Sequence, residues 1–525
     1  MGKGLFRSGM IVSAMTMISR VLGLVRDSVV ANILGAGAAA DVFLFANRIP
    51  NFLRRLFAEG AFAQAFVPVL AEIKEQHGDD KVRLFVAQAA GTLGTILLVV
   101  TLLGVIGSPI VAALFGTGWF IDWWQGGENA GQFELASSLL KITFPYLFFV
   151  SLVALSGAIL NVYNRFSAAA FTPVLLNISI ILCALFLQDA FSTSAYALAW
   201  GVFIGGVVQL LFQLPFLARI GMLKLPVFAW HSPEVTKVRK LMIPALFGVS
   251  VSQINLLLDT VIASLLEKGS IAWLYYSDRL IEFPLGLFGI GIATVILPAL
   301  SKLHATAKLE DFQHTLDWGV RFVLLLGIPA MLGLSVISPL IITVLFDHGA
   351  FSEGDVDNVR AVSLGVMAYS AGLVSFMLIK VLAPGFYSRQ DTKTPVKIGI
   401  KMLVLNMVFN LLLAPFIGYL GLALATSISA TCNAWLLYLN LKQQNVYCLS
   451  RFTLVFTLKC IIASVIMAGG IYYLVSQFDW VSWSLLEQVG LLSGLLALAG
   501  VVYFSVLFMC GIRLSTIKEV ANSAL

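Results

Sequence analysis

Apolar residues fill this chain in blocks of about twenty or more, separated by short polar stretches rich in Lys, Arg, Gly and Pro. A block of that length, wound as a helix, matches a hydrocarbon core about 30 Å thick. Taken in order, the blocks predict fourteen helices, over 9–35, 42–72, 84–115, 134–160, 171–188, 195–218, 240–266, 272–302, 315–346, 358–384, 397–415, 421–441, 453–476 and 486–512. No polar interval is long enough to fold as a soluble domain. The pattern therefore predicts an all-α polytopic membrane protein. The first block follows Lys3 and Arg7 without a small-residue cleavage site, so it is read as the first helix, not a removed signal peptide.

Composition agrees with the pattern. Of 525 residues, 59% are hydrophobic and only 11% charged. Mean hydropathy is +0.94, far from that of a soluble domain. Charge placement adds the topology. With the N-terminus cytoplasmic, the tails and loops on that side hold twenty-one Lys and Arg, against Lys268 alone on the other. Cytoplasmic loops of membrane proteins carry this excess, so an even helix count and two cytoplasmic termini are expected. The opposite loops are acidic, with Asp122, Glu128, Asp189, Asp347 and Glu353 among them, and GWFIDWWQGG (118–127) is expected to be an interfacial aromatic anchor in an outer loop. The net charge of +6 follows from these loops and calls for no nucleic acid. Five scattered cysteines suggest neither a disulfide framework nor a metal site.

Eleven Lys and Arg remain inside the predicted helices. Five of them, Lys141, Arg321, Arg360, Lys380 and Lys459, lie within reach of helix ends and are expected to snorkel. The other six fall in the first, second and eighth segments only: Arg20, Arg26, Arg48, Arg54, Arg55 and Arg279. In 41–70, a helix entering the membrane at Asp41 puts Arg54 and Arg55 roughly 20 Å deep. Charges at that depth are costly, and they mark a functional site facing a watered cavity unless they merely zip helices together.

The chain also repeats itself. LVRDSVVA (24–31) matches LLLDTVIA (256–263), pairing Asp27 with Asp259. FVPVL (66–70) matches ILPAL (296–300), and Arg48 falls opposite Arg279 with a slip of one residue. YNRFSAAAFTP (163–173) matches YSRQDTKTP (387–395), each with Thr-Pro opening a helix. Two parallel six-helix repeats follow, an N-lobe over 1–220 and a C-lobe over 221–445, with two extra helices in 446–525. The charge-free run 491–510 is expected to face lipid or a lipid-like ligand.

The residues define no catalytic machinery. There is no G-x-x-x-x-G-K-[ST] cradle for ATP, no metal spacing among the five histidines and no Ser-His-Asp arrangement. What remains is an anion site. Ser19, Arg20, Arg26 and Asp27 lie on the first segment, and Arg20 shares a face with Asp27 as Ser19 does with Arg26. Arg55 can pair with Glu59 at i, i+4, which leaves Arg54 without a local partner. Asp278, Arg279 and Glu282 lie on the eighth segment, where Arg279 can pair with Glu282 at i, i+3. In the first two segments five Arg stand against Asp27, Asp41 and Glu59. Guanidinium groups match phosphate oxygens bidentately, so this surplus suits a di-anion such as a pyrophosphate. Prolines in or near helices, Pro50, Pro145 and Pro284 among them, are compatible with a protein that moves.

At MTMISRVLGLVRD (15–27), RIPNFLRRLFAEGAFAQAFVPVLAE (48–72), LLKITFPY (139–146), WLYYSDRLIEFPLGLFGI (273–290) and KVLAPGFYSRQDTKTPVKI (380–398) the chain resembles the MurJ (MviN) lipid II flippases. These belong to the multidrug/oligosaccharidyl-lipid/polysaccharide exporter superfamily. The resemblance covers essentially the whole chain. It implies a transporter, not an enzyme, that carries undecaprenyl-pyrophosphate-disaccharide-pentapeptide from the inner to the outer leaflet of the bacterial cytoplasmic membrane. It also implies that Arg26, Arg54 and Arg279 hold the pyrophosphate and that the last two helices groove the isoprenoid tail. Where the family has YYADR and NLLRR, this chain has Ser277 and Phe52, and neither change touches a charge.

The candidate substrate site is then Arg20, Arg26, Arg54, Arg55 and Arg279, with Ser19, Asp27, Asp41, Glu59, Asp278 and Glu282 supporting it or carrying a coupling ion. No cofactor or metal is expected; membrane potential or a monovalent ion would supply the drive. The expected partners are lipid II, membrane lipids and other cell-wall synthesis proteins. Three alternatives stay open: a cation-coupled drug exporter of the same superfamily, an exporter of another lipid-linked oligosaccharide, and a non-transporting scaffold for cell-wall enzymes. A drug site for cations should be dominated by carboxylates, which the Arg surplus opposes. A scaffold has no need of charges buried in three helices.

Overall fold

The computed structural model describes residues 2–55, 62–353 and 357–512. Among them every regular element is a helix. The chain forms two compact units, Met1–Ala272 with His348–Gly354, and Trp273–Asp347 with Asp355–Leu525.

The first unit holds α1 (Gly2–Leu34), α2 (Ala38–Arg54), α3 (Ala63–Ile106), α4 (Ser108–Phe115), α5 (Thr117–Gln125), α6 (Ala130–Thr143), α7 (Pro145–Val162), α8 (Phe166–Leu187), α9 (Ser194–Arg219) and α10 (Pro233–Ala263). The breaks have local causes. Gly78 (φ 74°) turns α3 sharply, Gly107 separates α3 from α4, and Pro145, which has no N–H to donate, starts α7 immediately after α6. Helix α1 packs on α8, α8 on α9, and α7 on both α9 and α3. Small residues let α8 and α9 approach closely: a methyl group on Gly201 would lie 2.8 Å from the Ile180 Cα. Phe62, Phe66 and Phe85 stack at 5.0 and 5.3 Å in the core of this unit.

The stretch 118–127, expected as loop, is mostly helix α5, closed by Gly126 in the left-handed region. Its aromatics divide between two roles. Trp119 is buried edge-on against Phe45 at 5.2 Å, whereas Trp124 is 76% exposed. The alternation is that of a short amphipathic helix lying against the unit, which the run of aromatics did not distinguish from an extended anchor.

Between α9 and α10 the chain runs extended and is strapped onto α3. The Val227 N–H donates to the Ala87 carbonyl (2.9 Å), the Ala229 N–H to Thr92 Oγ1 (3.1 Å), and the Ser232 hydroxyl to Gln88 Oε1 (2.8 Å). Gly91 makes this possible, because any Cβ there would come within 2.3 Å of the Val227 backbone. Helix α10 continues the docking by packing on α3.

The second unit takes in all but the first turn of α11 (Ser270–Pro284), then α12 (Ile290–Ala305), α13 (Leu309–Phe346), α14 (Asn358–Leu382), α15 (Pro384–Tyr387), α16 (Lys393–Ile417), α17 (Tyr419–Gln443), α18 (Arg451–Val475) and α19 (Leu485–Met509). After Pro284 the helix widens into a π-turn, Leu285–Gly289, before α12 resumes. Helix α14 packs on α13 and α17, α16 on α17, and α18 on α13 and α19. Caps fix the helix starts: Asp357 for α14, Ser450 for α18, and a Ser484–Glu487 capping box for α19.

Arg321 departs from its expected snorkelling. It pairs with Asp317 one turn earlier (Nε to Oδ2, 3.2 Å), and both side chains are largely buried. Asp317 also accepts from the Tyr447 hydroxyl and the Thr453 hydroxyl at 2.8 Å each, so it ties the start of α18 to α13.

Among the described residues eleven helices are long and apolar enough to cross a membrane. Ten fall on one predicted segment each, and Ala65–Ile106 takes in the end of the second and most of the third, so that 73–83, expected as a loop, is helix bent at Gly78. The first and seventh segments are α1 and α10, the second is α2 with the start of α3, and α1 carries Arg20, Arg26 and Asp27 within eight residues. The outward face of these helices is apolar: Phe416 is 85% exposed, Leu486 83% and Phe508 68%. Such faces belong against lipid tails.

Candidate functional site

One amide holds Arg26 on α1. Arg26 donates to its neighbour Asp27 through Nε (3.0 Å) and Nη2 (2.5 Å), and its Nη1 donates to Asn177 Oδ1 (3.1 Å). Asn177 is buried on α8, and its Nδ2 donates to the Ser19 carbonyl (3.1 Å). One amide thus ties Arg26 and the backbone of Ser19 to α8. Asp27 is 2% exposed and Arg26 part-buried, so the pair sits where charge is worth most and is most costly to leave unpaired. Arg20 is exposed and makes no ion pair among the described residues.

Helix α2 builds a second, separate set. Arg48 Nη1 donates to Thr260 Oγ1 on α10 (2.8 Å), and that hydroxyl donates to the Leu256 carbonyl (2.8 Å). Arg54 Nε donates to Asn51 Oδ1 (3.2 Å), and Asn51 in turn donates to the Asn47 carbonyl (2.8 Å). The amides, one turn apart, orient the guanidinium. Arg55 is exposed. Glu59, expected to pair with it, lies outside the described residues.

Asp41 has a different place. It is 3% exposed, and its two oxygens accept from the Gly269 N–H (2.7 Å) and the Ala272 N–H (2.8 Å). Those donors are the orphan N–H groups at the start of α11, so the carboxylate caps that helix and faces its positive end.

In the second unit Arg279 forms the expected i, i+3 pair with Glu282 (Nη1 to Oε2, 3.0 Å). Glu282 is half-exposed and Asp278 exposed, which leaves this pair accessible to a competing anion. One turn earlier Ser277 donates to the Trp273 and Val362 carbonyls, anchoring this part of α11 on α14.

The structure therefore joins Ser19, Arg26 and Asp27 in one network and Arg48 with Arg54 on another helix. It pairs Arg279 with Glu282 and assigns Asp41 to a helix cap. The neutral residues Asn177, Thr260, Asn51 and Asn47 were not expected. Asn177 had a signal: it is the one amide in the apolar run of α8, and a polar side chain in such a run needs a partner. Counting charges alone passes over it.

An all-helical chain with lipid-facing helices and internal arginines has the character of a membrane transporter. The fold is shared with a solved structure titled an inward-facing multidrug resistance MATE family transporter of the MOP superfamily, at 13% identity, TM-score 0.67, over 83% of this chain and 97% of that one. A structure titled Lipid II flippase MurJ, inward closed conformation, superposes with TM-score 0.77 at 28% identity, over 96% of this chain and all of the other. The family described as Lipid II flippase MurJ matches residues 30–490. A protein of Vibrio cholerae serotype O1 named Probable lipid II flippase MurJ is 58% identical over 98% of both chains. The chain belongs to the MurJ family.

Proposed function

We propose that this protein is a lipid II flippase of the bacterial inner membrane, taking the pyrophosphate-linked precursor of peptidoglycan from the inner to the outer leaflet by alternating access. The observation that carries the reading is the preparation of Arg26: a part-buried guanidinium, held by Asp27 and Asn177 within a unit made for lipid. A pyrophosphate offers more oxygens than one carboxylate and can draw Arg26, Arg54 and Arg279 into bidentate contacts. Arg20 and Arg55, exposed on their helices, add to the same positive field. Asp27, Asp278 and Glu282 keep the guanidinium groups compensated when no substrate is bound. The apolar faces of α18 and α19 take the isoprenoid tail. Both termini are cytoplasmic. With no ATP cradle in the sequence, membrane potential or a monovalent ion gradient drives the cycle.

The test is lipid II exposure at the outer face of cells depleted of their own flippase and supplied with this chain or its variants. The wild-type chain should restore exposure. Arg26→Gln and Arg279→Ala, at matched membrane abundance, should lower it about tenfold or more, as expected for a lost charge-assisted contact. Restoration by both variants would remove these arginines from the site. Failure of the correctly inserted wild-type chain would overturn the assignment, and efflux of cationic drugs would then be the activity to measure.

A further inference from the structure

A cavity of about 250 Å3 lies at the end of the second unit that carries its basic turns. Three turns meet there: α12–α13, α15–α16 and α17–α18. Leu303, Phe312 and Val446 make an apolar wall, and His304, Lys308 and Arg389 make the polar one. Each turn carries a residue other than glycine with positive φ: Ala307 (55°), Gln390 (62°) and Asn445 (55°). A left-handed conformation costs an alanine roughly 1–2 kcal/mol. Each is the residue that closes the preceding helix: the next N–H, of Lys308, Asp391 and Val446, returns to the Leu303, Phe386 and Leu441 carbonyls, which fixes the three turns around the cavity.

Arg389 is the unusual member. Its Nη2 donates to Gln444 Oε1, and its guanidinium lies 5.9 Å from the Phe386 ring centroid. Its Nε is buried and has no hydrogen-bond partner among the described residues. Burial pulls the guanidinium below its usual range, with only partial compensation from Asp391. That carboxylate is engaged elsewhere, accepting from the Thr394 N–H (3.0 Å) and hydroxyl (2.6 Å). Lys308 is 63% exposed and meets Asp311 only loosely, at 3.7 Å. The cavity thus holds two cations with weakly committed counter-charges beside an apolar wall.

We propose that this cavity binds a phosphate ester, with the phosphate between Lys308 and Arg389 and an apolar body against Phe312 and Val446. Its volume of about 250 Å3 leaves room for an apolar body beside the phosphate. A bound ester would bridge the three turns and so restrain α12 against α13. Its source is either an anionic phospholipid or a soluble phosphate monoester.

The experiment uses the full chain in a neutral detergent. Dioctanoyl phosphatidylglycerol, adenosine monophosphate and inorganic phosphate are titrated, with dioctanoyl phosphatidylcholine as a control. Unfolding temperature and protection of Lys308 from an amine-reactive label are read out. At least one ester should bind saturably and shield Lys308. Lys308→Gln, at an exposed position that should not disturb folding, and Arg389→Gln should each weaken binding about tenfold, while Lys401→Gln should not. Phosphatidylglycerol alone would identify a lipid source, and adenosine monophosphate a soluble one. Inorganic phosphate binding as tightly as either ester would overturn the apolar subsite. No saturable binding, or binding unchanged in both variants, would overturn the site.

Discussion

Residue by residue, the membrane changes what a polar side chain means. Arg26 alone in hydrocarbon would cost several kcal/mol. With Asp27 and Asn177 around it, the guanidinium is held and remains a charge. On the proposed reading of Arg26 as a pyrophosphate contact, Asn177 is the residue that positions it. Asn177→Leu should reduce lipid II exposure about tenfold without lowering membrane abundance, and Asn177→Gln should recover part of it. Equal loss in both variants, or loss of the protein itself, would mark Asn177 as structural only. Asp41 shows the other use of a carboxylate, as the cap of α11. Spacing could not separate the two roles. The i, i+3 and i, i+4 rules see one helix, and Arg279–Glu282 was legible for that reason. Asn177 and the donors to Asp41 lie far along the chain.

Helices in this protein are held by small residues and by a few polar ties. Asp317 gathers Arg321, Tyr447 and Thr453 where α18 begins. Asp317→Ala would leave Arg321 without its carboxylate in a mostly buried place, a loss of about 3–5 kcal/mol. Thermal unfolding in detergent should shift down, and proteolysis near 444–450 should quicken. An unchanged profile would mean that apolar packing alone docks α18. Gly91 works by absence of a side chain. Gly91→Val should expel the extended segment at Val227 from α3 and expose 222–229 to protease, whereas Gly94→Ala, with open space around it, should not.

For the whole molecule, loop charge is the topological statement. Trp124 stands exposed on α5 and Cys448 exposed before α18. After the other cysteines are replaced, a Trp124→Cys variant should react with an impermeant maleimide in intact cells. Cys448 should react only once the membrane is opened. The reverse result would invert the proposed orientation. The eleven apolar helices on predicted segments show how much of the architecture a hydropathy pattern carries. It carries so much because lipid is a uniform solvent: every spanning residue must satisfy it, so the requirement is written locally.

The sequence by itself determined the class, the charged helices and, through long motifs, the family. These depend on the local match of a segment to the bilayer or on the order of residues in a short run. Only the tertiary structure decided what each buried charge touches. Arg26 is set by an amide some 150 residues away, Asp41 by backbone donors beyond 268, and Arg321 by Asp317 and not by an interface. Each depends on which helices pack together, and packing is chosen by small residues and shape over the whole unit, leaving no periodic trace along the chain.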